Sequence, residues 1–271
     1  MNAPGMQMPP LGDREFQRLQ HLMAEVSGIR MADHKRSLVA GRLMKRLRHF
    51  GLSSYGDYLD LLASDAYKSE RRLVIDLLTT NETYFFREPK HFQFLGPWLA
   101  SRRGPLRLWS AACSSGEEPY TLAMVAAENV AGNDWSILAS DLSQRMLEKA
   151  AAGIYDLSQA QHFPPGWLHR HCLKGIGEQE GSFRVAAKLR ERVTFRELNL
   201  THPLPEQLGP FDAIFLRNVL IYFEAKEKCA IVGRLIQRLR DDGLLFIGHA
   251  ESLHGLDLPV RSVQPSVYRR V

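Results

Sequence analysis

The sequence predicts an α/β fold, a mostly parallel sheet preceded by an N-terminal helical domain and interrupted by a small inserted β-subdomain. Three observations carry this reading. From Asp13 to about Arg103 apolar residues recur only at helical spacing. After Pro105 short strand-like runs alternate with helices, which places the strands parallel with helices on both faces. Between Ile154 and Arg192 the alternation stops for longer than a connecting loop requires.

In the helical part, Phe16, Leu19, Met23 and Val26 form one stripe, Val39, Leu43, Leu47 and Phe50 a second, and Leu73, Val74, Leu77 and Leu78 a third. Asp13 and Asp33 are placed as N-caps, and Gly28 and Gly51 stand where helices stop. Strands are predicted over Leu106 to Ala111, Trp135 to Ser140, Val193 to Leu198, Phe211 to Leu216 and Gly243 to Gly248. Helices are predicted over Glu117 to Val130, Ser143 to Ala151 and Ala225 to Arg240. Met1 to Gly12, with Pro and Gly and no periodicity, reads as a disordered lead-in. The expected divisions are therefore 1–12, a helical domain and linker over 13–88, and an α/β domain over 89–271 with its insert at about 156–192.

With 45% apolar and 24% charged residues in 271, disorder of the whole chain is excluded. No apolar run reaches the roughly 18 residues that span a bilayer, and the start lacks a basic n-region and an apolar h-region, so a cytoplasmic protein is expected. Cys113, Cys172 and Cys229 lack any metal-ligand spacing; free thiols and no metal site are expected. The net charge of +5 favours an acidic partner without saying which.

Ligands of an open parallel sheet bind beyond the carboxyl ends of its strands. After the first strand comes Ala111-Ala112-Cys113-Ser114-Ser115-Gly116-Glu117-Glu118, small residues running into a helix start. Two glutamates there would repel a phosphate but tolerate a cation or a sugar hydroxyl; alternatively they only complement the helix dipole. The second strand ends at Asp141, spaced as a ribose ligand or, equally, as the N-cap of the next helix. Asn199-Leu200 and Arg217-Asn218 follow the next two strands, as ligands or as turn formers. The segment Thr79 to Pro89 gathers hydroxyls, an amide, aromatic rings and Arg87; it is either a ligand site between domains or an aromatic hinge with Arg87 paired to Glu88.

At these residues the chain resembles the CheR-type chemotaxis receptor methyltransferases, which esterify protein glutamates. The resemblance rests on Thr79-Thr80-Asn81-Glu82-Thr83-Tyr84-Phe85-Phe86-Arg87-Glu88, on Trp109 to Tyr120, on Phe211 to Phe223 and on Gly248-His249-Ala250-Glu251-Ser252, and runs from about Phe16 to Tyr268. It implies a Rossmann-like methyltransferase sheet and S-adenosylmethionine as cofactor, with S-adenosylhomocysteine as product. It further implies that Asn81, Thr83 and Arg87 contact the methionine part of the cofactor or the reacting region, that Glu118 is a cofactor ligand and Asp141 the ribose ligand, and that Asn199, Leu200, Arg217 and Asn218 are further cofactor contacts. Cys113-Ser114-Ser115 departs from the smaller or differently ordered residues common in the family.

Methyl transfer to a glutamate needs no general base, because the acceptor, with a reference pKa of about 4.3, is already ionised at neutral pH. Positioning and exclusion of water carry the rate instead. Arg87 and Tyr222 are the candidate catalytic residues, the first orienting a carboxylate oxygen and the second bonding the other oxygen or lining the methyl path. Arg36, Arg42, Lys45, Arg46, Arg48 and His49 surround the second apolar stripe, and Arg42, Lys45, Arg46 and Arg48 are the candidates for docking an acidic receptor bundle. Nucleic acid fits less well, since exposed aromatics for base stacking are not interleaved. The insert resembles a β-subdomain that in some members docks a receptor's C-terminal peptide by strand addition, or it is a purely structural hairpin. The alternatives to receptor methylation are another methyl acceptor, such as RNA or a small acid, and a cofactor-sensing adaptor without turnover, against which Asn81, Thr83, Arg87 and Tyr222 argue.

Overall fold

The computed structural model describes residues 10–79, 81–132 and 134–271. It divides into two compact units, Met1–Thr80 and Asn81–Val271. Most of the lead-in expected at 1–12 lies outside the described residues, but Leu11 is 7% exposed, so packed structure begins just before Asp13.

The first unit consists of α1 (Asp13–Ser27), α2 (Arg36–His49), α3 (Tyr55–Ala63) and α4 (Lys68–Leu78). Helix α1 buries Phe16, Leu19, Met23 and Ser27 and ends at Gly28, whose φ of 72° only glycine adopts without strain. Its N-cap is Gly12 and not Asp13, which lies with Glu15 in the first turn where an acid suits the dipole. Asp33 likewise opens a 3₁₀ turn, Asp33–Lys35, and does not cap α2. Ser54 caps α3 by accepting from the Asp57 N–H at 3.1 Å.

Helix α2 buries Val39, Ala40, Leu43 and Leu47, as its stripe requires. The basic docking candidates around that stripe, Arg42, Lys45, Arg46 and Arg48, are not equally exposed. Arg46 donates from Nε and Nη2 to the two carboxylate oxygens of Glu70 on α4, at 2.7 and 2.6 Å. Glu70 is 6% exposed and also accepts from the Tyr58 hydroxyl. Burial alone would raise the Glu70 carboxyl, but the bonds from Arg46 and Tyr58 outweigh it and hold the group below its usual range. Arg42 is half-buried and donates from Nη1 to the carbonyls of Leu77 and Thr79, both at 3.0 Å, which satisfies the end of α4. Lys45, Arg48 and His49 are exposed. Helical periodicity places a charge on a face but does not see what another helix brings to it.

The second unit is built on a seven-stranded sheet of order β6-β2-β1-β7-β8-β10-β9. The parallel part comprises β1 (Leu106–Ala111), β2 (Trp135–Asp141), β6 (Val193–Glu197), β7 (Phe211–Leu216) and β8 (Leu239–Ile247). Strands β9 (Val260–Gln264) and β10 (Val267–Arg270) add an antiparallel edge. Helices α5 (Pro89–Ala100), α6 (Glu117–Asn129), α7 (Gln144–Ala152) and α10 (Ala225–Ile236) belong to this layer. Helix α10 stops short of the expected Arg240, because the chain turns at Gln237 and Leu239 already pairs with Phe211. A separate antiparallel sheet, β3-β5-β4, is formed by β3 (Ile154–Asp156), β4 (Cys172–Lys174) and β5 (Ser182–Val185), with α8 (Trp167–His171) before β4 and α9 (Ala187–Arg190) after β5.

Core packing explains why residues from Asn81 onward group with the sheet. Phe85 is fully buried against Tyr155, Phe163 and Phe183, and Phe86 against Phe92, Phe163 and Trp167. The strand order reverses between β1 and β7, so the crevice of this sheet opens where the segments after β1, β2 and β7 converge. Among the described residues no helix is long and apolar enough to cross a membrane.

Breaking the Arg46–Glu70 pair should destabilise the helical unit. Arg46→Ala leaves Glu70 buried without its counter-charge and is expected to lower unfolding stability by about 2–4 kcal/mol, somewhat less than for a wholly buried pair because Arg46 is partly exposed. Lys45→Ala on the same helix should cost about 0.5 kcal/mol or less. Denaturant unfolding of the two variants measures the difference, and equal midpoints would rule the pair out as a structural element.

Candidate cofactor crevice

The segment after β1 is unusually shaped. Ala112, Ser114 and Gly116 have φ of 65°, 49° and 97°, so left-handed residues alternate with ordinary ones. Gly116 is required twice, by its φ and by space: a Cβ there would lie 2.7 Å from the Ala150 Cβ and the Tyr155 hydroxyl. Asp141 braces this segment. Its Oδ2 accepts from the Ser114 N–H at 2.8 Å and its Oδ1 from the Ser143 N–H at 2.9 Å. The N-cap of α7 is Ser143, which accepts from the Met146 N–H. Asp141 is therefore not the helix cap; it joins the ends of β1 and β2 by its carboxylate.

The two glutamates at the start of α6 have different tasks. Glu117, 1% exposed, receives the Ser115 hydroxyl, and burial pushes its carboxyl up. Glu118 accepts from the Ser110 hydroxyl at 2.7 Å and from Arg217 Nη1 at 2.9 Å. Burial pushes the Glu118 carboxyl up as well, opposed by the Arg217 charge.

Arg217, at the end of β7, is the centre of a second array. Its side chain is 2% exposed. Besides Glu118 it donates from Nε and Nη2 to Glu88 Oε2, at 3.2 and 3.0 Å, and from Nη2 to the Arg87 carbonyl. Glu88 Oε1 in turn accepts from Asn218 Nδ2 at 3.2 Å and from the His249 N–H at 3.1 Å. Burial would raise Glu88, but the Arg217 charge and these donors hold it below its usual range. The Arg87–Glu88 pairing of the hinge alternative is not formed; Glu88 pairs with Arg217. Arg87 instead donates from Nη1 to the Glu82 carbonyl at 2.7 Å and lies over the Tyr84 ring. The Arg217 side chain thereby joins Glu88, Glu118 and the Arg87 carbonyl at the end of β7.

The remaining candidates are placed as follows. Asn81 contributes its carbonyl to the Ser114 hydroxyl at 3.2 Å, which brings the 81–88 segment to the β1 segment. Thr83 is half-buried in the same segment. Asn199 Oδ1 accepts from the N–H and hydroxyl of Thr201, and the Leu200 carbonyl accepts from Arg234 on α10. Asn218 has a φ of 58°. Tyr222 is half-buried in a 3₁₀ turn, Leu220–Tyr222. The sequence reading paired Glu88 only with its neighbour Arg87 and gave no role to Glu251, although both stand in its quoted motifs. Charged residues next to Pro89 and within Gly248 to Ser252 were the signal that could have found them.

Glu88, His91 and His249 bring potential ligand atoms within 4.8 Å of one another. Both Glu88 oxygens are already engaged, and the adjacent Arg217 guanidinium opposes a cation. His91, 1% exposed, makes no hydrogen bond through either ring nitrogen, and its Nδ1 stands 3.5 Å from Glu88. Burial, with the Arg217 charge beside it, pushes His91 down to about 3.

The acids present limit what the crevice can hold. Asp141 at the end of β2 suits ribose hydroxyls, and Glu117 and Glu118 in the first turn of α6 oppose a phosphate while tolerating an ammonium group. A parallel sheet with such a crevice is compatible with a methyltransferase that uses S-adenosylmethionine. Residues 81–268 match the CheR methyltransferase, SAM binding domain, and residues 14–79 the CheR methyltransferase, all-alpha domain. The chain belongs to the CheR methyltransferase family. It is 43% identical to a chemotaxis protein methyltransferase of Escherichia coli over 91% of this chain and 87% of that one. The Salmonella typhimurium protein of the same description is also 43% identical, over 91% and 86%. A chemotaxis protein methyltransferase 2 of Pseudomonas aeruginosa is 38% identical over 94% and 92%.

His91 makes stability pH-dependent. Its folded value of about 3 lies below the ordinary 6.5, so its contribution is complete above 6.5 and is lost as pH falls below that value. The loss reaches up to about 1.4 kcal/mol per pH unit. His91→Leu, which removes no hydrogen bond, should flatten the fall in stability between about pH 7 and 5, measured by thermal unfolding in a buffer series. An unchanged slope would assign the acid sensitivity to other groups.

Proposed function

We infer that the chain transfers a methyl group from S-adenosylmethionine to glutamate side chains on the cytoplasmic helical bundle of a chemoreceptor, forming methyl esters. The observation that carries this reading is the crevice itself, with its Asp141 and Glu118 carboxylates and buried Arg217, in a chain of the CheR methyltransferase family. When bound, the cofactor supplies an electrophilic methyl group on a sulfonium. The acceptor glutamate is ionised at neutral pH, so no residue has to remove a proton. Asp141 would hold the ribose hydroxyls and Glu118 the methionine ammonium. Asn81, Thr83, Asn199, Leu200, Arg217 and Asn218 would complete the contacts. Arg87, free to turn from the Glu82 carbonyl at little cost, orients the incoming carboxylate, and Tyr222 lines its approach.

The receptor is recognised by charge and by shape. Lys45 and Arg48 supply the exposed charge on α2. Arg42, the least free of these candidates with Arg46, contributes by lining a shallow groove with Ser37, Leu38, Gly41, Lys45 and Leu77. The small sheet has β3 and β4 as its edges, and a receptor tail would add to one of them as a further strand.

The direct test offers methyl-labelled cofactor to the protein together with a chemoreceptor cytoplasmic fragment, RNA and small carboxylic acids. Label is expected on receptor glutamates, released by mild alkali as an ester should be. Label on RNA or on a small acid alone would overturn the substrate assignment.

A second expectation concerns docking. Reversing Lys45 and Arg48 to Glu should slow receptor methylation at low ionic strength by about tenfold and reduce its sensitivity to salt, with affinity for S-adenosylhomocysteine unchanged. A wild-type rate and salt dependence would make these charges ordinary solvated surface.

A further inference from the structure

We propose that Glu251 is a positioning residue for methyl transfer, fixing the segment 218–222 in its working geometry. Glu251 is 9% exposed, and its carboxylate accepts from three backbone N–H groups. Oε2 receives the N–H of Asn218 at 2.9 Å and of Gly248 at 2.6 Å, and Oε1 receives the N–H of Ile221 at 3.3 Å. One side chain thus ties the end of β8 to the segment that follows β7.

Asn218 is left-handed, with φ of 58°, a conformation that asparagine adopts more readily than other residues with a Cβ, and here two carboxylates hold it there. Gly248 packs against the segment with no room for a side chain of its own. A Cβ there would lie 2.6 Å from Asn218 Nδ2, 2.9 Å from the Asn218 nitrogen and 2.9 Å from Glu251 Oε2. Glu88 holds the Asn218 side chain from the other side. From Asn218 the chain runs directly into the turn that carries Tyr222. Glu251 therefore sets where that turn lies, without bonding to Asp141 or Glu118.

The proposal rests on the reading that Asn218 and Tyr222 border the reacting region. It places the effect of Glu251 on the reaction step more than on cofactor binding. Glu251→Gln keeps the shape but presents an amide group to at least one of the three N–H donors. Two measurements on the full chain test this, hydrogen exchange of the backbone amides and steady-state receptor methylation with S-adenosylhomocysteine titration alongside.

In Glu251→Gln the amides of Asn218, Ile221 and Gly248 should lose protection while those of β1 and β2 keep it. Turnover should fall by about tenfold or more, and cofactor affinity by clearly less, since Asn218 is only one of several cofactor contacts. Glu251→Asp, which keeps the charge but shortens the reach, should recover part of the turnover. Unchanged protection overturns the proposal, as does lost protection with wild-type turnover. Equal losses of turnover, cofactor affinity and melting temperature make Glu251 merely structural and overturn it too. A wild-type protein that labels no receptor overturns the substrate assignment above, and the exchange measurement then decides the role of Glu251 separately.

Discussion

Arg217 lies between two carboxylates from different parts of the second unit, Glu88 ahead of α5 and Glu118 in the first turn of α6. With 2% of its side chain exposed, it draws its stability from these partners and not from water. A buried charge group is tolerated only when its attractions and hydrogen bonds are nearly complete, and removing one member costs about 3–5 kcal/mol. Here Ser110 completes Glu118, and Asn218 with the His249 N–H completes Glu88. The consequence is geometric. Segment 81–88, the end of β1, the end of β7 and the end of β8 are joined through one guanidinium and the side chains it touches.

That constraint suits the chemistry of the site. A reaction whose acceptor is already an anion gains nothing from a proton-abstracting residue, so the rate depends on where the groups are held. The crevice is accordingly rich in braces. Asp141 joins two strand ends by backbone N–H groups, Ala112, Ser114 and Gly116 take left-handed backbone between them, and Asn218 is held left-handed by two carboxylates. Such strained residues persist because their surroundings over-determine them.

Much of this fold can be read in the sequence, for physical reasons that also mark the exceptions. Phe211–Leu216 is buried throughout, and a central parallel strand of this kind appears as a dense apolar run, here interrupted only by Asp212, which accepts from the Arg107 N–H. Strands β9 and β10 pair at an edge, are largely half-exposed or exposed, and carry no such run. Leu235 and Leu239 continue a helical spacing past the true end of α10, and only pairing with Phe211 shows that the second belongs to a strand. In the site, strand ends and spacing pointed to Asp141, Glu118, Arg217 and Asn218, but not to what their side chains touch. Arg87 and Glu88, adjacent in sequence, separate because neighbouring side chains diverge, and Glu88 meets a residue more than a hundred positions away. Arg46 finds Glu70 in the same way. Long-range ion pairs leave no periodic signature.

The most direct test of this account replaces Arg217 by lysine, which keeps the charge but cannot fork between Glu88, Glu118 and the Arg87 carbonyl. Calorimetric titration of S-adenosylhomocysteine into Arg217→Lys, with circular dichroism to confirm the fold, is the measurement. If the buried guanidinium shapes the crevice, affinity should fall by about tenfold or more, equivalent to about 1.4 kcal/mol or more. Wild-type affinity in a folded variant would contradict the claim that the crevice depends on it.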